Sequence, residues 1–174
     1  MNSTILLRAA IVAAAVVSLN SPALAETPIR TKLTGLIHDY TPALDASGAW
    51  QVVGDWSLTV NSASGKVDFV ASLSMVRSDN TARAAHAHHM RVSDGYVTAL
   101  ANGFRISGTA SFTSNGSLAA FSGSPVDIEI TGSSAVPFSN ISVTLGGAAA
   151  GHFGSQPLEG VVRSCRGFSC AGMS

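Results

Sequence analysis

Apolar and polar residues alternate with a period of two along much of this chain, beginning near Thr31. From Trp50 to Asn61, the residues Trp50, Val52, Gly54, Trp56, Leu58 and Val60 fall on one side, and Gln51, Asp55, Ser57, Thr59 and Asn61 on the other. Successive side chains of an extended strand point to opposite faces, so this spacing predicts a strand with one buried and one wet face. From Lys66 to Arg77, Val67, Phe69, Ala71, Leu73 and Met75 oppose Asp68, Ser72 and Ser74 in the same way. The intervening Ser62-Ala63-Ser64-Gly65 suits a tight hairpin loop. Further strands are expected at 32–39, 86–93, 96–101, 104–113, 126–131, 138–145 and 158–163. Turn-forming residues separate them, notably Ser78-Asp79-Asn80, Asn102-Gly103 and Asn115-Gly116.

No stretch of the chain sustains the 3.6-residue apolar spacing of a helix; Gly146 to Gly151 reads as a single helical turn or a loop. That glycine run lacks the GxGxxG spacing and the strand-helix-strand setting of a phosphate-binding loop. The expected fold is therefore all-β: a single antiparallel β-barrel, lipocalin-like or similarly closed, or a β-sandwich, with about eight strands. Closure is expected because this many strands in an open sheet expose long unpaired edges.

The first residues follow a different pattern. Arg8 precedes the apolar run Ala9 to Val17, and Ala23-Leu24-Ala25 is a small-x-small cleavage pattern. Residues 1–25 thus read as a cleavable signal peptide, leaving Glu26 as the new N-terminus and an exported, periplasmic or extracellular protein. Ser18, Asn20, Ser21 and Pro22 interrupt the run before it reaches the roughly 20 apolar residues of a membrane span. Residues 26–174 number 174 − 25 = 149 and suit one domain. With Arg8 removed, nine Lys and Arg face ten Asp and Glu, a formal charge of −1. No basic cluster marks a nucleic-acid or anionic-membrane partner. Cys165 and Cys170 are the only cysteines, and export to an oxidising compartment makes them a short disulfide loop that pins the C-terminal tail.

Three of the five histidines cluster in His86-Ala87-His88-His89, followed by Met90. On a strand His86 and His88 share a face and His89 takes the other, and two imidazoles at that spacing can grip one cation. The third donor must come from elsewhere. Neutral imidazole suits both zinc and copper, which favours His38 or His152, with Glu129 as a carboxylate alternative acting as ligand or general base. Met75 or Met90 nearby would tilt the site toward copper.

Other chemistries find less support. No G-x-S-x-G elbow is present, and Asp55, Asp68, Asp127 and Glu129 sit on wet strand faces rather than as paired glycosidase acids. Trp50 and Trp56 share the inward face and read as core. A copper oxidase using its own N-terminal histidine does not fit a chain starting at Glu26. Two readings follow: a β-barrel metalloprotein holding one zinc or copper ion, carrier or enzyme, or a lipocalin-like or adhesive binding module that takes a small molecule at the barrel mouth.

Overall fold

A computed structural model of the chain describes residues 30–42, 48–61, 64–77, 85–115, 117–118, 121–132 and 140–166. The signal-peptide region, Ser78-Asp79-Asn80 and Cys170 lie outside the described residues. Among the described residues ten strands and one helix follow in order: β1 (Arg30–Tyr40), β2 (Trp50–Asn61), β3 (Val67–Arg77), β4 (His86–Val92), β5 (Tyr96–Leu100), β6 (Gly103–Ser114), β7 (Ser117–Leu118), β8 (Ser124–Thr131), β9 (Asn140–Leu145), α1 (Gly147–Phe153) and β10 (Leu158–Arg166).

All pairings are antiparallel, and eight of the strands close into a barrel in the order β1-β2-β3-β4-β6-β8-β9-β10 and back to β1. The β2–β3 hairpin forms as expected, with Val60 opposite Val67 and the Asn61 N–H donating to the Lys66 carbonyl. Closure comes from β4 against β6, which sets Met90 opposite Phe112 and Val92 opposite Ala110. β4 and β5 lie end to end along the same edge of β6, separated by Ser93, Asp94 and Gly95. There Asp94 Oδ1 accepts from the Thr109 N–H at 3.1 Å. A Cβ on Gly108 would stand 2.9 Å from the Gly95 Cα, so two glycines let the chain bend. Past the bend β5 leaves the barrel as an extra strand, exposed from Tyr96 to Ala99.

The interior is filled with side chains, as an eight-stranded barrel permits. Leu33, Leu58, Phe69, Met90, Phe112, Ile128, Val143 and Leu158, one from each barrel strand, are all buried to 2% exposure or less. Trp56 stacks on Phe69 with ring centroids 6.0 Å apart. Its entry depends on Gly35 at a bulge in β1, where a Cβ would lie 2.6 Å from the indole. No helix among the described residues is long and apolar enough to cross a membrane.

Candidate metal centre

β4 runs between β3 and β6, with Met75 opposite His86 and Leu73 opposite His88 across the β3 side. Its register is held on both edges, so the alternation of its side chains is rigid. His88, Met90 and Val92 face the interior and are buried, and His86 on the same face is half-buried. His89 points outward, where its Nδ1 shares a 3.0 Å hydrogen bond with the Ser72 hydroxyl.

The helix α1 brings the third imidazole. Three consecutive alanines favour helix after Gly147, and Ala149 and Phe153, four residues apart, bury one face of it. Ser124 ties the helix down: its hydroxyl donates to the Phe121 carbonyl at 2.9 Å and accepts from the Ala149 N–H at 3.3 Å. That contact satisfies one of the helix's unpaired N-terminal donors. His152, next to the anchored Phe153, therefore has little freedom. Its Nε2 lies 2.9 Å from the Nε2 of His88 and 3.1 Å from the Nε2 of His86.

These contacts cannot all be hydrogen bonds. A neutral imidazole Nε2 carries either one hydrogen or one lone pair, so His152 can satisfy one neighbour and not both. One cation between the three nitrogens would serve every lone pair at once. Bound tetrahedrally to zinc at the usual Zn–N distance, imidazole nitrogens stand about 3.3 Å apart, close to the separations seen. His86, His88 and His152 are the residues with ligand atoms mutually within 4.8 Å, and among the described residues no carboxylate or thiolate joins them.

Aromatic rings wall the group. The Phe121 ring stacks on His152 at 5.2 Å, Phe153 stands edge-on to His88 at 5.3 Å, and Trp50 stands edge-on to His86 at 5.2 Å. The guanidinium of Arg77 lies over the Trp50 ring, 5.9 Å from its centroid. His88 is 2% exposed, and its Nδ1 is buried without a hydrogen-bond partner. Burial first, then the neighbouring imidazoles of His152 and His86, lowers the His88 pKa from 6.5 to about 4. Burial and His86 lower that of His152 as well. Both rings are accordingly neutral at pH 7, the form that ligates a metal.

A prediction about stability follows. Unfolding releases His88 to its ordinary pKa, so between about pH 6.5 and pH 4 the unfolded chain binds a proton that the folded one refuses. The contribution is intact above pH 6.5 and is lost as the pH falls toward 4, at a cost to the metal-free protein of about 3 kcal/mol. Urea titrations of the metal-free protein at both ends of that range should show the loss, and a His88→Leu variant should lack that part of it. Equal pH slopes in the two proteins would contradict the prediction.

The other predicted donors stand elsewhere. His38 is exposed on the outside of β1 beside Gln51, with 2.9 Å between the two Nε2 atoms. Glu129 is on the outer face of β8, where it accepts from Arg105 Nε at 2.8 Å. Both miss for the same reason: Ile37 points inward on β1, and Ile128 and Ile130 on β8, so their neighbours must point out. Strand parity, visible in the sequence, already carried that signal. Phe121, Phe153 and Trp50 were not anticipated as walls of the site, and Phe121 has no sequence pattern to mark it. The glycine run expected as one turn or a loop is a seven-residue helix. Cys165 lies half-buried at the end of β10 against the core, and Cys170 falls outside the described residues.

The fold and the histidine group together describe a closed β-barrel with a potential metal-binding site at the helix-capped part of its interior. No protein-family model, curated protein or solved structure matches the chain.

Proposed function

We propose that this chain is an exported protein that binds a single transition-metal ion, zinc or copper, through His86, His88 and His152. The observation that carries the reading is the position of His152: a helix anchored by Phe153 and Ser124 sets its Nε2 within 3.1 Å of two other ring nitrogens that it cannot satisfy together. Low pKa values at His88 and His152 support it, because the rings need not shed protons to ligate near neutral pH. Three protein ligands leave an open fourth position. Among the described residues no carboxylate joins the group as a further ligand or base, and we read the site as one that holds and passes on the ion. In the same reading the signal peptide ends at Ala25, and a Cys165–Cys170 disulfide pins the tail in the oxidising compartment.

Elemental analysis of protein purified without a histidine tag tests the proposal. One equivalent of zinc or copper should survive dialysis, and a His152→Ala variant should lose it. A metal-free protein that cannot be loaded with either ion would overturn the reading.

A further inference from the structure

The metal-site reading leaves two ions open, and on that reading we infer that the site selects copper(I) over zinc(II). The donors are three neutral imidazoles, and among the described residues nothing anionic joins them. A zinc ion there keeps its full double charge, and the cost of burying an ion rises with the square of its charge, so a divalent ion costs about four times as much as a monovalent one. The setting makes that difference count. His88 is 2% exposed, His86 and His152 are half-buried, and the rings of Phe121, Phe153 and Trp50 pack against the group.

A second observation points the same way. Imidazoles that hold zinc ordinarily pass their other N–H to a carboxylate, carbonyl or water, which raises their basicity and spreads the metal's charge. Among the described residues the Nδ1 of His88 is buried with no such partner. A poorly supported, uncharged donor suits a soft monovalent ion better than a divalent one. The softness of the surroundings adds to this. Met75 is opposite His86 across the β3–β4 ladder, and Met90 follows His88 on the interior face, both buried. Thioethers favour copper(I). Copper(II) prefers a tetragonal plane of ligands, and among the described residues no further histidine, cysteine or carboxylate joins the three imidazoles to complete one.

The test is a pair of competition titrations on metal-free protein purified without a histidine tag. Copper(I) is supplied anaerobically as its acetonitrile complex against bicinchoninate, and zinc(II) is titrated against a chromogenic zinc chelator. The expected result is one equivalent of copper(I) bound at least about 100-fold more tightly than zinc(II), with both lost in His152→Ala. Zinc bound as tightly as copper(I), or more so, overturns the inference while leaving the metal site standing. Failure of both ions to bind, or binding of both unchanged in His152→Ala, overturns the inference and the site together.

Discussion

Replacing His88 by alanine lowers the affinity of the protein for zinc and copper by at least about 100-fold, whereas replacing His89 leaves it unchanged within about twofold. Changes beyond the ligands themselves cost 10 to 100-fold, so removing a ligand should reach or exceed the upper end. The two residues are neighbours in sequence and alike in chemistry, so only the pleat of β4 separates them. His88 points into the barrel with its Nε2 2.9 Å from that of His152, while His89 points out to Ser72. Isothermal titration of the two single variants checks the contrast. Matching losses at both positions would mean that the strand does not alternate as described, and no loss at His88 would remove the site.

Truncating Phe153 to alanine should cost about 3 to 5 kcal/mol of stability, the range for a fully buried phenylalanine. It should also take metal affinity with it. Phe153 packs between Phe112, 5.5 Å away, and the ring of His88, and it is the residue that holds α1 against the barrel next to His152. Phe69→Ala makes the matched control. Phe69 is equally buried, but it lies four positions along β3 from Leu73, the partner of His88, about 13 Å at the rise of a strand. The two variants should therefore lose similar stability by thermal or urea unfolding, and only Phe153→Ala should bind metal weakly under conditions where both remain folded. Equal metal affinity in the two would show that His152 reaches the group without the anchor.

The strands and their faces were legible because a two-residue period is a local property, written in each segment without reference to any other. Every predicted strand whose ends are described has a counterpart with ends within three residues. The inward faces of β2 and β3 hold the residues that alternation assigned to them. The same parity placed His86 and His88 on one face and His89 on the other. Applied to β1 and β8, the same parity would have excluded His38 and Glu129, both expected as donors from the sequence, because their neighbours Ile37, Ile128 and Ile130 fill the core. The helix was half legible: alanines after a glycine allow one, but seven residues are too few to form a helix in water without tertiary contacts.

Local pattern thus sufficed for an all-β chain with two histidines on the dry face of one strand. The choice between barrel and sandwich, and of the third imidazole, was made in three dimensions. The pairing of β4 with β6 that closes the barrel joins segments whose alternation is satisfied by either architecture. His152 stands 64 residues from His88 along the chain, and the two meet because closure creates an interior for Phe153 to fill and Ser124 to tether the helix above it. Proximity across such a separation depends on how the buried surfaces pack together, a quantity that no single segment carries.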